Sequence, residues 1–342
     1  MSSARNMLRY WQRWVGVSVL ALFVTYLVNS LYNTPVDKWY GNLPKTSSSS
    51  PQQPASPPPP IYTPKPAVDD GRFHWGDLKS NYPIKNFTTL ATSSSNNVPK
   101  VQHSFTRQTP GSAFETKRLQ RQKAVKDAFS RCWTSYVKHA WLADELAPMS
   151  GTARNPFGGW AATLVDSLDT LLIMDMKDEF HEAIRSLDEI DFSRSSLDNV
   201  NVFETTIRYL GGFLAAYDLS GEISLLHKAV EIGDMLYVAF DTPNHLPVTR
   251  WDFAAAMKGK PQEAPEWMLS AELGSFTLEF TRLTQLTGNP KWFDAADRIT
   301  RLLVDTQMKT KLPGMWGVAV DAKTPDMTKD SSFSLGAMAD SL

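Results

Sequence analysis

From Phe114 onward, apolar residues recur at the three- and four-residue spacing of helices. Residues 116–140 are charged and amphipathic, with Val125, Phe129, Trp133, Val137 and then Trp141 at four-residue intervals. Residues 160–175 carry Leu164, Leu168, Leu171 and Leu172, and a shorter stretch, 178–190, carries Phe180, Ile184 and Leu187. Residues 202–218 present Phe203, Ile207, Leu210, Leu214 and Tyr217; residues 222–240 present Leu225, Leu226, Ile232, Leu236 and Phe240. Two more helices are expected at 270–287 and 290–306, split by Thr287-Gly288-Asn289-Pro290. Gly288 suits a helix C-terminus and Pro290 a first helical turn. Leu219-Ser220-Gly221 separates the preceding pair in the same way. Residues 241–268 read as a loop with room for a short hairpin.

This pattern predicts an all-α domain of helical hairpins. An open solenoid and a closed α/α toroid both fit. A solenoid should repeat at a fixed length. Only a loose echo links LGGFLAAYDLSG to LEFTRLTQLTG, which favours the toroid.

Upstream the pattern changes twice. Residues 14–31, WVGVSVLALFVTYLVNSL, contain no charge. As a helix they would extend about 27 Å, close to the thickness of a bilayer core. Arg5, Arg9 and Arg13 precede the run, which places residues 1–13 in the cytosol. A cleavable signal peptide is the rival reading, but the small residues of a cleavage site are lacking around Tyr26–Tyr32. Residues 14–31 are therefore expected to be a signal anchor in the lipid bilayer, with the bulk of the chain in the lumen. Residues 32–113 include TSSSSPQQPASPPPPIYTPKP, a Pro/Ser-rich composition that reads as an extended stem. Asn86-Phe87-Thr88 within it is a glycosylation acceptor sequence. The remainder, 114–342, is the globular domain. Anchor, stem and globular domain in this order are typical of Golgi glycan-processing enzymes.

The formal net charge of −1 argues against nucleic-acid binding, which needs a concentrated basic surface. Cys132 is the single cysteine, so no intramolecular disulfide and no Cys-based zinc site form within the chain.

Candidate chemistry rests on carboxylates at helical spacing. Glu204 and Arg208 in NVFETTIRYLGG stand one turn apart on one face. A solvated ion pair and a functional pair both fit. Glu204 lies among Phe203, Thr205, Thr206 and Ile207 rather than on a charged face. Gly211 and Gly212 follow inside the helix, where each costs about 1 kcal/mol against Ala. Glycine there suggests close helix approach or a cavity wall. Asp166 and Asp169 share a face of an apolar helix, and buried carboxylates need partners; bonds to neighbouring helices are the simpler reading. Glu272 and Glu279 are seven apart and are expected to share a face. Asp340 lies in FSLGAMADSL. Carboxylates on inward faces of a toroid suit glycoside hydrolysis, which uses one carboxylic acid on the leaving oxygen and one carboxylate on water.

Four runs in order, GGWAATLVDSLDTLLIMDMKDEFHEAI, NVFETTIRYLGGFLAAYDLSGE, LSAELGSFTLEFTRLTQLTG and FSLGAMADSL, resemble glycoside hydrolase family 47, the class I α-1,2-mannosidases. KHAWLADELAPMSG resembles that family's opening segment, and DGRFHW resembles fungal members. The resemblance covers about 130–342. It implies a partial (α/α)7 barrel, preceded by the transmembrane helix and the disordered stem. It implies inverting, Ca²⁺-dependent removal of terminal α-1,2-linked mannose from high-mannose N-glycans. Glu204 matches the family's acid, Asp340 a second essential carboxylate, and Arg208 and Glu272 residues of the sugar pocket. Met338 stands where endoplasmic-reticulum types carry Arg, a residue that shapes glycan branch preference, which favours a Golgi-type trimming specificity; the expected location is the Golgi or endoplasmic reticulum membrane. The family continues past this point with the base glutamate, the calcium-binding threonine and paired cysteines. The chain is thus expected to be an incomplete, inactive fragment whose calcium ligand lies beyond Leu342. A lectin-like protein of misfolded-glycoprotein degradation is the alternative on the same scaffold; the anchor and Pro-rich stem argue against it.

The topology is checked by translation with microsomes. The chain should gain endoglycosidase-sensitive mass, and Asn86→Gln should remove it. A product of unchanged mass would count against a lumenal Asn86.

Overall fold

The computed structural model describes residues 62–64, 71–91, 103 and 109–342. The expected tail 1–13 and anchor 14–31 lie outside the described residues. Among the described residues, no helix is long and apolar enough to cross a membrane.

Helices dominate and pair as hairpins. The first, α1 (Ala113–Ala140), opens on Ser112, whose side chain accepts the Glu115 N–H at 3.2 Å. Only its C-terminal part carries buried residues: Trp133, Tyr136 and Ala140. A ribbon of β1 (Glu145–Ala147) and β2 (Thr152–Arg154) follows. Next come α2 (Ala162–Ile173) and α3 (Lys177–Arg185). The expected helix at 202–218 is compound. It runs as α4 (Val202–Thr205), a π-helical turn (Thr206–Leu210) and α5 (Gly211–Ser220). Gly221, at φ 74°, ends it in the left-handed conformation and leads into α6 (Ile223–Val238). After α7 (Phe253–Met257), the expected 270–287 helix is broken into α8 (Ser270–Gly274) and α9 (Thr277–Thr287). Gly288, also at φ 74°, caps α9, and α10 (Lys291–Thr306) follows Pro290, as the turn residues predict.

The apolar pattern did not show the short strands. β3 (Asn199–Asn201) pairs antiparallel with β4 (Arg250–Asp252), and β5 (Met268–Leu269) with β6 (Ala319–Val320). The 241–268 loop does hold a strand, but its partner is β3 rather than a local hairpin neighbour. β3, β4 and β5 each run directly into a helix: α4, α7 and α8. These junctions set where the first helical turns stand.

Two features organise the core. The Asp144 carboxylate is buried and accepts four backbone N–H groups. Phe157 and Gly159 donate to Oδ2 at 2.7 and 2.9 Å, and Trp160 and Ala162 to Oδ1 at 2.8 and 3.3 Å. The Tyr209 hydroxyl adds a fifth bond at 3.1 Å. The loop 155–161 is thereby fixed against the π-helical turn. The second feature is an aromatic cluster in which Trp160 meets Phe192, Tyr209 and Phe253 edge-on or tilted.

Trp75 belongs to that cluster, packing on Trp251 and Phe253 with ring centres 5.3 Å away. Its indole N–H donates to the Phe192 carbonyl at 2.8 Å. Residues 71–91, which composition assigned to an extended stem, lie as a strap along the helical unit. Asp241 accepts bonds from Ser80 Oγ, the Asn81 N–H and side-chain amide, and the Tyr82 N–H. Thr88 N–H donates to the buried Asp294 at 2.8 Å. Burying an aromatic side chain removes roughly 150–250 Å² from water, worth about 4–6 kcal/mol before the strap's ordering entropy is counted. Low complexity upstream had masked this short anchoring run.

Asp144→Asn is expected to destabilise the domain strongly, because one oxygen becomes an amide N–H₂ facing backbone donors. Leaving buried donors unpaired costs about 1–3 kcal/mol each. At roughly 2–4 °C per kcal/mol for a domain of this size, the melting temperature should fall by about 5–10 °C. A variant melting with the parent would remove Asp144 from this role.

Candidate functional site

Glu204 stands in the first turn of α4. Asn201, the last residue of β3, caps that turn: its side-chain oxygen accepts the Glu204 N–H at 3.3 Å. The Thr205 and Thr206 hydroxyls bond back to the Asn201 and Val202 carbonyls at 2.8 Å. The π-helical turn then widens the helix where Arg208 emerges. Such turns are rare and concentrate at functional sites.

Arg208 is shared between two carboxylates. Its Nε donates to Glu204 Oε2 at 2.8 Å and its Nη1 to Asp166 Oδ2 at 3.1 Å. Its guanidinium carbon lies 4.5 Å from the centre of the Phe157 ring. Side-chain exposures of 27% for Glu204, 32% for Arg208 and 36% for Asp166 leave the cluster open to a ligand. Burial raises the Asp166 carboxyl above its usual range; Arg208 opposes the rise, while Asp169 and Glu204 add to it. Burial alone would lower Arg208, but Asp166 and Glu204 outweigh it and hold the guanidinium above its ordinary value.

Glu272 is buried in α8, and its Oε1 accepts from Arg250 Nη2 at 2.6 Å. Arg250 stands opposite Asn201 in the β3–β4 register. One ribbon therefore links the capping residue of the Glu204 turn to the partner of Glu272. Asp340 is exposed, on a segment held along α8. Ala271 N–H and Ser270 Oγ donate to the Met338 carbonyl at 3.1 and 3.4 Å. A Cβ at Gly274 would lie 2.8 Å from the Ser341 carbonyl oxygen, so this approach needs glycine.

The structure thus brings Glu204, Arg208 and Asp166 into one cluster. It connects Glu272 to that cluster through a strand pair and sets the Asp340 segment beside Glu272's helix. Asn86 is exposed on the strap. Asp169 accepts only the neighbouring Thr170 hydroxyl, at 3.2 Å. Glu279 does not share a helix with Glu272, because the chain breaks at Ser275–Phe276. It lies instead against the π-turn helix, where a Cβ on Gly211 would be 3.5 Å from its Oε1. Its Oε2 is buried without a hydrogen-bond partner, and burial raises its carboxyl. Gly212 is the close approach expected of it: a Cβ there would lie 2.9 Å from the Val165 carbonyl oxygen of α2. Sequence reasoning missed Arg250 and Phe157, which sit in loop-like stretches without periodicity.

The described residues do not fit a calcium site by themselves. Among them, no group of three or more Asp, Glu, His or Cys side chains is placed to hold a metal. Glu204 and Asp166 are instead bridged by Arg208.

Glycosyl hydrolase family 47 has a profile that matches residues 128–342. The chain belongs to that family. Its relatives include the endoplasmic reticulum mannosyl-oligosaccharide 1,2-alpha-mannosidase of Rattus norvegicus, 38% identical over 223 residues. That alignment covers 65% of this chain and 33% of the rat protein. A probable mannosyl-oligosaccharide alpha-1,2-mannosidase 1B of Aspergillus clavatus is 36% identical over 61% of this chain and 42% of its own length. The chain therefore spans a third to less than half of these family 47 relatives. The solved alpha-1,2-mannosidase from Trichoderma reesei superposes with a TM-score of 0.58 at 31% identity, over 65% of this chain and 48% of that one. The helical fold described above is the family 47 fold over that span.

Arg208→Met tests the shared cation. Burial already raises the Asp166 carboxyl and Arg208 opposes that rise, so without the guanidinium this carboxyl should move further above its unfolded value. A carboxyl raised by folding leaves stability intact below its unfolded value, and stability is lost as pH rises through the folded one. The variant should thus match the parent near pH 4 and lose about 1 kcal/mol by pH 7. Melts at both pH values check this; a loss independent of pH would overturn it.

Proposed function

We propose that this chain is the anchor-bearing part of a mannosyl-oligosaccharide 1,2-α-mannosidase. The substrates would be high-mannose N-glycans on glycoproteins, trimmed of terminal α-1,2-linked mannose with inversion. The observation that carries the reading is the half-open cluster in which Arg208, on the π-helical turn of a family 47 domain, bridges Glu204 of α4 and Asp166 of α2.

In this reading Glu204 is the acid that protonates the leaving glycosidic oxygen, directly or through a water. Arg208 orients it, and Phe157 beneath the guanidinium limits where Arg208 can swing. Glu272, fixed by Arg250, lines the sugar pocket, and Asp340 assists from the adjacent segment. Inverting glycosidases hold acid and base carboxylates about 6.5–9.5 Å apart, leaving room for the attacking water. That base is a further glutamate of the whole protein. Calcium dependence is likewise proposed for the whole protein, since the described residues alone do not make the site. Residues 14–31 would anchor the protein in the Golgi or endoplasmic reticulum membrane, with residues 1–13 cytosolic and the domain lumenal. Asn86, exposed on the strap, is accessible for glycosylation.

In the full-length protein, Glu204→Gln should reduce release of mannose from an α-1,2-mannobioside by roughly 10²- to 10⁴-fold while the fold persists. The amide keeps the shape of the acid and delivers no proton. Near-parental turnover would remove Glu204 from the acid role. Glycan binding by a parent that hydrolyses nothing would instead favour the lectin-like reading.

A further inference from the structure

We propose that a second, non-catalytic carbohydrate site lies beneath the strap, between residues 76–87 and the C-terminal part of α6, with Lys291 at the start of α10. The strap precedes residues 128–342, which the family profile matches, while the opposite side of the site lies within them.

A cavity of about 230 Å³ lies there. It is smaller than the roughly 300–1,000 Å³ of pockets for drug-sized ligands and suits a single sugar ring. Tyr82 and Phe87 of the strap and Tyr237 of α6 give it aromatic walls, and Phe87 is 39% exposed at the rim. Its polar lining includes Lys79, Ser80, Asp241 and His245, and within it Asp234 and Lys291 form an ion pair at 2.7 Å whose side chains are each 20% exposed. Lys291 Nζ also lies 5.4 Å from the centre of the Tyr237 ring. At one end the strap backbone descends onto Asp234: a Cβ on Gly76 would be 2.8 Å from Asp234 Oδ2. His245, also in the lining, holds a left-handed φ of 59°, a strained conformation for a residue with a side chain.

The charges indicate the ligand. Asp234 and Lys291 neutralise each other. Asp241, also in the lining, has both oxygens occupied by strap donors and forms part of the frame. Burial and nearby Arg298 hold His245 below its usual range, towards the neutral imidazole, against the opposing pull of Asp294 and Asp241. Lys79 also lines the cavity, so its two carboxylates, Asp234 and Asp241, are matched in number by two ammonium groups, Lys79 and Lys291, and the lining carries no net formal charge to select an anion or a cation. What remains is a paired acceptor and donor beside aromatic faces. Vicinal hydroxyls bond to the former, and the C–H face of a pyranose packs on the latter. A neutral monosaccharide unit of a glycan satisfies both. The site does not depend on Glu204 being an acid.

The test uses the full chain carrying Asn86→Gln, so that no glycan of its own covers the rim. Methyl α-D-mannopyranoside and N-acetylglucosamine are titrated, with saturation-transfer NMR as the readout. Saturable binding of at least one sugar is expected, weakened roughly tenfold or more by Phe87→Ser and by Asp234→Asn. Phe87 is a rim residue, so its loss should leave the melting temperature unchanged. Restoring Asn86 and its glycan distinguishes the sources: weaker binding of added sugar means that the chain's own glycan occupies the site, and unchanged binding means that external glycans do. Absence of saturable binding in the Asn86→Gln chain would overturn the proposal. So would binding that ignores Phe87→Ser and Asp234→Asn yet disappears in Arg208→Met, which would assign it to the Glu204 cluster. Equal binding of galacturonate, an anionic sugar, would overturn the neutral-ligand assignment.

Discussion

The buried charge of Asp144 sets the geometry on which the candidate site depends. A carboxylate removed from water needs several donors, and here the donors are backbone N–H groups of one loop together with the Tyr209 hydroxyl. Two of those partners flank Arg208. Phe157, whose N–H is held, lies under the guanidinium, and Tyr209 is Arg208's chain neighbour in the π-helical turn. The Tyr209 hydroxyl also donates to the Phe157 carbonyl at 2.9 Å, so the two partners are fixed to each other as well. A carboxylate that takes no part in the chemistry thus fixes the floor and one side of the cation that organises Glu204 and Asp166.

Close helix approach completes this arrangement. Gly212 lets α5 come against the Val165 carbonyl of α2, and Val165 precedes Asp166. The distance over which Arg208 reaches Asp166 is therefore set by a glycine, not by the flexibility of the arginine. Gly211 makes room for Glu279 on the other side. In a helix interior each glycine costs about 1 kcal/mol relative to Ala. Here that cost is offset by placing two carboxylates within contact of one short helical stretch.

The parts legible in the sequence were those with local periodicity or local turn chemistry. The helix at 290–306, its Gly288 and Pro290 boundary and the Glu204–Arg208 spacing all follow from residues a few positions apart. What escaped was set by partners far along the chain. Asp144 sits in an ordinary-looking AWLADELAP run, and its donors lie 13 to 18 residues on in a glycine-containing loop with no period to read. The break at Ser275–Phe276 follows Gly274, the last residue of α8, but that glycine has no proline or polar turn residues after it of the kind that mark Gly288, so Glu272 and Glu279 looked like one face when they belong to two helices. Arg250 entered the site only because β3 and β4 pair across about fifty residues. Both readings of Glu204 and Arg208 hold together: they do form an i,i+4 ion pair, but a second acid shares the arginine, and that sharing separates the cluster from a solvated surface pair.

The strap shows how composition and burial can point in different directions. The Pro/Ser-rich composition of the stretch before it dominates the average over residues 32–113. Residues 71–91 are different in kind. Trp75 supplies an aromatic side chain to a cluster that already contains Trp251 and Phe253, and two acids of the helical unit receive strap N–H groups. Asp294 is fully buried, with Arg298 as its other partner. Removing the strap would expose a tryptophan-sized hole and leave Asp241 without its four donors. Those acids and that hole belong to the residues after 113, so the helical unit is built to receive the strap. The unit therefore includes residues 71–91 as well as those after 113, and Tyr62 and Thr63 also meet His227 of α6.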